Sequence, residues 1–93
     1  MKKLEIIIGT YELNKVIDIL ESANVNGYTI ISDVTGRGKH GKRVKDEITD
    51  VNRRSMIVCV DNEEIIEDVV DKVKKLKDRY SLKAFVSDIA KEI

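Results

Sequence analysis

Apolar positions recur along the chain with two different spacings. Residues 3–8 (Lys-Leu-Glu-Ile-Ile-Ile) are rich in β-branched side chains and closed by Gly9, which reads as a strand. Leu13, Val16, Ile17 and Leu20 then fall at helical intervals and predict a helix over 11–23. Thr10 is its expected N-cap, with a hydroxyl able to accept from a free amide of the first turn. Asn24, Asn26 and Gly27 end it, being residue types that tolerate the left-handed conformation of helix caps. Residues 28–34, 55–60 and 82–87 read as three further strands. Asp61 is expected to start a second helix, with Glu64 three residues on as in a capping box. Ile65, Ile66, Val69, Val70, Val73 and Leu76 make its apolar face. Acidic residues crowd its start and basic ones its end, as the helix dipole favours. Residues 88–93 are expected to add a last helical turn.

The predicted order is β-α-β, a long loop, then β-α-β. That is an α+β chain of the ferredoxin-like type, βαββαβ, filling 1–93 as a single domain. It has a four-stranded antiparallel sheet, two helices on one face, and the long loop between strands two and three. The third strand adds a hint about assembly. Met56 through Val60 are all apolar, whereas a strand buried on one face only should alternate. Two helices cover one face, so a second copy of the chain is the expected cover for the other.

Composition narrows the function. Lys and Arg total 17, Asp and Glu 17, so a globally basic nucleic-acid binder is not expected. Cys59 is the only cysteine, which excludes an internal disulfide and a CxxC zinc site. A chain without bridges suits a reducing, cytoplasmic location. No apolar run reaches the length of a membrane span. The run at Ile6 to Ile8 is also too short for a signal peptide, so no direct membrane insertion is expected.

The charge is segregated. Residues 36–54 hold seven basic and three acidic residues, a surplus of four positive charges on the least patterned stretch. Gly36-Arg37-Gly38-Lys39-His40-Gly41 opens it. Glycines let backbone amides approach an anion, and Arg and Lys add charge, so the segment suits a phosphate-bearing ligand. It lacks the spacing of a Walker A loop, and no apolar helix follows as the dinucleotide GxGxxG requires. His40, the only histidine, has no partner for a metal site. Cys59 sits on a core strand, where it acts as a small hydrophobe rather than a nucleophile. No metal site, no catalytic residue and no enzymatic activity are expected.

The stretches Lys2-Lys3-Leu4-Glu5-Ile6-Ile7-Ile8, Asn24-Val25-Asn26-Gly27-Tyr28-Thr29-Ile30 and Val34-Thr35-Gly36-Arg37-Gly38 resemble, in order, the PII signalling superfamily. Gly27 to Gly41 is most similar to its PII-like branch, which includes regulators of bicarbonate transporters. The resemblance implies a homotrimer with its sheets inward and an adenine nucleotide (AMP, ADP, ATP or a cyclic form) in the cleft between subunits. It also implies that the loop 36–54, the family's T-loop, docks on a partner, often a membrane transporter. By that resemblance Gly36, Arg37, Gly38, Lys39 and His40 form the loop base that holds nucleotide. Thr29 contacts the base, and Lys83 closes the phosphate-cradling B-loop. Lys42, Arg43, Lys45, Arg53 and Arg54 would face ligand or partner. Departures accompany it. Residues 78–82 contain no glycine, 37–54 no tyrosine, and Gly9-Thr10 replaces the family's Lys-Pro. Two alternatives share the fold. An RNA-binding domain would stack bases on strand aromatics, of which only Tyr28 and Phe85 are available. A CutA-like trimer would need metal ligands that one His and one buried Cys do not supply.

Overall fold

The computed structural model describes residues 1–38, 41–42 and 53–93. Strand β1 (Lys2–Gly9) leads through a 3-10 turn (Thr10–Glu12) into α1 (Leu13–Ser22). Strand β2 (Thr29–Val34) follows, then two short strands, β3 (Arg37–Gly38) and β4 (Gly41–Lys42). The second half is β5 (Arg54–Asp61), α2 (Glu63–Lys77) and β6 (Leu82–Asp88). The main sheet has the order β2-β5-β1-β6, with every neighbouring pair antiparallel. This is the ferredoxin-like arrangement expected from the sequence.

Period-two alternation assigns the two faces of the sheet. Leu4, Ile6 and Ile8 of β1 and Ile57 and Cys59 of β5 are buried against the helices. Val16 and Leu20 of α1 meet them, as do Ile66, Val69 and Val73 of α2. The opposite face carries Met56, Val58 and Val60, which are only half-buried. The unbroken apolar run of β5 is thus two alternating rows, one in the core and one on a face that no helix among the described residues covers.

Several boundaries differ from expectation for local reasons. Thr10 does not cap α1. Its hydroxyl shares a 2.9 Å hydrogen bond with Ser55 Oγ, and its amide donates to the Arg53 carbonyl. These bonds draw it into a 3-10 turn against β5, and α1 starts three residues later. Asn24 takes the left-handed conformation after α1, with φ of 57°. The capping residue of α2 is Asn62, not Asp61. Asn62 Oδ1 accepts from the Ile65 amide at 2.9 Å. Asp61 is instead the buried last residue of β5. Asn62→Ala should therefore lower stability by about 1 kcal/mol in a thermal melt, while Asn62→Asp should be close to neutral. Residues 89–93 form no helical turn. The Ile89 amide donates to the Met1 carbonyl, so the chain leaves β6 alongside its own start.

Candidate functional site

One end of the sheet gathers the starts of β5 and β6 and the ends of β1 and β2, and there the basic loop enters and leaves. Its neck is built by Asp33 and Arg53. The pairing of β2 with β5 shifts register between Ile31 and Val34, and within that bulge Asp33 has φ of 58°. Aspartate is one of the few residues that accept this left-handed backbone. Its carboxylate lies 3.5 Å from Arg53 Nε. The Arg53 carbonyl accepts from Thr10, so both backbone and side chain of Arg53 are fixed where β5 begins.

Next in the chain, Arg54 pairs with Gly9 on one side and Val34 on the other. Its Nη2 donates to Ser81 Oγ at 3.3 Å, which ties the central strand to the turn before β6. Arg54 is therefore part of the sheet, and the loop that the sequence sets at 36–54 ends before it.

The predicted nucleotide residues divide between the two edges of the sheet. Thr29 opens β2, is exposed, and pairs with Val58, which places it on the helix-free face. Gly36 lies just beyond β2, and Arg37 and Gly38 form β3, which pairs with Gly41 and Lys42 of β4. Among the described residues, a Cβ added to Gly36 would meet nothing within 4 Å. Lys83 is the second residue of β6 and exposed, facing the same side as Ile7 and Met56. Three strand spacings, about 14 Å, separate the β2 edge from the β6 edge. Lys39, His40, Arg43 and Lys45 lie outside the described residues.

The helix-free face between those edges is mainly apolar. Ile31 at 46% exposure and Phe85 at 54% flank the half-buried Ile7, Met56 and Val58. Its charged pair, Lys3 and Glu5, stands at 3.7 Å. A groove of about 210 Å³ beside α2 and β6 is lined by Leu82, Ala84 and Val86, which face the helices. It is thus separated by the sheet from Lys83 and Thr29. Cys59 is buried, and burial followed by the nearby Asp61 charge pushes its thiol pKa up, away from thiolate chemistry. Among the described residues no helix is long and apolar enough to cross a membrane.

Sequence reasoning missed Asp33, Ser55 and Ser81. Ser55 carried a readable signal, as a lone hydroxyl at a core-facing position of an apolar strand. Asp33 and Ser81 carried none, because their roles depend on a bulge and on a contact across 27 residues.

The sequence matches the description of nitrogen regulatory protein P-II over residues 1–93. A search among curated proteins gives no match. Among solved structures, CPII from Thiomonas intermedia K12, a nitrogen regulatory PII-like protein bound to ADP, AMP and bicarbonate, is 30% identical with a TM-score of 0.82. The alignment covers 95% of this chain and 84% of that one. The apo form of CPII gives 28% identity and a TM-score of 0.76, covering 95% of this chain and 87% of that one. A PII-like signaling protein from Thermus thermophilus, at 17% identity and a TM-score of 0.74 over 92% of this chain and 83% of that one, shares the fold.

Proposed function

This chain belongs to the nitrogen regulatory protein P-II family, and we propose that it is a non-enzymatic signalling protein, a homotrimer that binds an adenine nucleotide between subunits. The observation that carries this reading is the placement of the candidate residues. Thr29 on the β2 edge and Lys83 on the β6 edge lie on the face that the helices leave bare, and Gly36, Arg37 and Gly38 follow the end of β2. Two unlike edges joined head to tail generate a ring. In such a ring the β2 edge of one copy and the β6 edge of the next border one cleft, where base contact and phosphate contact meet. The apolar row of Ile31, Met56, Val58 and Phe85 turns to the ring's interior. CPII, of similar fold, holds ADP and AMP, which makes these the first nucleotides to test.

Ligand at the loop base then governs the basic loop. A nucleotide that binds one arrangement of that loop more tightly than another shifts the population toward it. Lys39 and His40 complete the nucleotide contacts. Lys42, Arg43 and Lys45 present charge to a partner, a membrane transporter in this reading, and Arg53 holds the neck between them. The protein acts in the cytoplasm.

Calorimetric titration with ADP and AMP tests the reading. The wild-type chain should bind at least one of them. Arg37→Ala should weaken that binding by roughly 1.5–3 kcal/mol, the worth of a hydrogen bond to a charged group. Wild-type indifference to both nucleotides would end the proposal, and unchanged affinity in the variant would remove Arg37 from the site.

A further inference from the structure

We infer that Lys3 of each copy pairs with Glu5 of the next, so that these two residues fix how copies of this chain meet through the helix-free face. This rests on the ring reading above and adds to it the residues that set the register of the ring.

Period two puts Lys3, Glu5 and Ile7 of β1 on the helix-free side of the sheet, with Leu4, Ile6 and Ile8 in the core. Across the sheet, Lys3 stands between Val60 of β5 and Ser87 of β6, and Glu5 between Val58 and Phe85. The pair therefore sits on a central strand among mainly apolar neighbours. Arg54 and Lys83, which share this face, lie toward its other end, opposite Gly9 and Ile7.

Burial strips water from an ammonium and a carboxylate alike, and the contact of Lys3 with its own Glu5 does not offset that loss. Lys3 Nζ lies 3.7 Å from Glu5 Oε1, beyond hydrogen-bond distance, and side-chain exposures of 34% and 28% leave both groups in water in a single copy. Among the described residues, each has the other as its one charged partner within 4 Å. The ammonium hydrogens and the carboxylate lone pairs need further partners once the face closes. On the helix side of the same strand, Lys2 meets two acids, Asp88 at 2.6 Å and Glu63 at 3.8 Å. The chain satisfies that lysine from its own residues, and Lys3 it does not.

A second copy supplies what is missing. In a closed ring every copy brings one cation and one anion toward the axis, so charges of alternate sign run round it and each Lys3 lies between its own Glu5 and the next copy's. Apolar contacts of Ile7, Ile31, Met56, Val58 and Phe85 are non-directional and tolerate a slip along the strand. A slip would seat Lys3 or Glu5 against a neighbour's apolar row with no counter-charge, which is how a buried polar pair selects one register.

Sedimentation without nucleotide tests the inference on the wild type, Lys3→Glu, Glu5→Lys, the double reversal and an equimolar mixture of the two single variants, each chain first shown to melt cooperatively. Wild type should sediment at three chain masses. Each single variant sets like charges against one another across the boundary and should fall to one. The double reversal restores the alternation and should return to three. The mixture separates a pair across the boundary from a pair inside each chain. Within each chain the like charges remain, but a chain with two acids now meets a chain with two lysines, and species heavier than one chain mass that contain both should form. A mixture that stays at one chain mass overturns the inference, as does a wild-type trimer that survives either single variant, and both results leave the ring reading standing. A wild type at one chain mass overturns the ring reading and this inference together.

Discussion

On the proposed trimeric assembly, Val58→Asp should convert three chain masses in sedimentation to one. Val58 sits midway along β5 on the helix-free face, half-buried within the chain and directly opposite Glu5 of β1 and Thr29 of β2. In an isolated protomer the new carboxylate remains in contact with water, and its cost to folding is modest. In a ring closed through this face, each copy would bring an aspartate and Glu5 into an apolar interior. An unpaired carboxylate there would cost several kcal/mol in each copy of the proposed ring. Assembly should fail while the far-UV spectrum and cooperative melting persist. Because the proposed nucleotide cleft is built from two copies, ADP binding should fall with the trimer, well beyond the loss from any single contact. Asn14→Asp, on the exposed side of α1, adds the same charge and should leave the trimer intact. A Val58→Asp protein that sediments as the wild type does would remove the helix-free face from the interface.

The sequence announced this face through one unbroken apolar run, and the way it did so explains what was legible. Strand residues that meet a helix and strand residues that meet another chain are both apolar. The run Met56 to Val60 therefore showed that both sides of β5 are apolar without saying which residue went where. The register of β5 against β1 resolves them into Ile57 and Cys59 inward and Met56, Val58 and Val60 outward. Helix positions were legible for the same kind of reason, since Val16, Leu20, Ile66, Val69 and Val73 carry the 3.6-residue period in their identities. What failed were the element ends. Thr10, Asp61 and Asn62 are all residues that cap helices well, and local sequence cannot choose among them. Thr10 is claimed by Ser55, 45 residues away, and Asp61 by the Asn26 amide, 35 residues away. Only then does Asn62 become the cap.

The candidate site shows the same division. The glycine and arginine of Gly36-Arg37-Gly38 were visible as a pattern suited to anions. The short pairing of β3 with β4 that follows was not, because two-residue strands carry no period. Arg54 was legible as one more charge on a basic segment. Its partner Ser81 lies in a turn whose sequence offered no reason to expect a contact, so the change from loop cation to sheet-anchored cation appears only in three dimensions.

Asp61→Ala should be the most destabilising of the polar substitutions considered, by about 3 kcal/mol. The Asp61 side chain is 1% exposed, and its two oxygens accept from the Asn62 amide at 2.8 Å and the Asn26 amide at 2.9 Å. Hydrogen bonds to a charged group contribute about 1.5–3 kcal/mol each, and water reaching the exposed Asn26 and Asn62 recovers part of the loss. The first bond sets the start of α2 against the end of β5, and the second fastens the loop between α1 and β2 to the same point. Domains of this size are stable by about 5–15 kcal/mol, so the loss is a large fraction of the whole. In a thermal melt it corresponds to a drop of about 12–24 °C at 4–8 °C per kcal/mol. Asp61→Asn keeps one acceptor oxygen but turns an amide group toward a backbone donor, and should fall between wild type and alanine. Asp61 and Arg54 occupy opposite ends of β5, about 23 Å apart at 3.3 Å per residue. Measured well below its melting point, Asp61→Ala should therefore keep whatever nucleotide affinity the wild type has, because Asp61 lies at the end of β5 away from the basic loop. Urea titration placing Asp61→Ala within 0.5 kcal/mol of wild type, a value of about the size expected for ordinary surface substitutions, would show that these amides find equal partners in water.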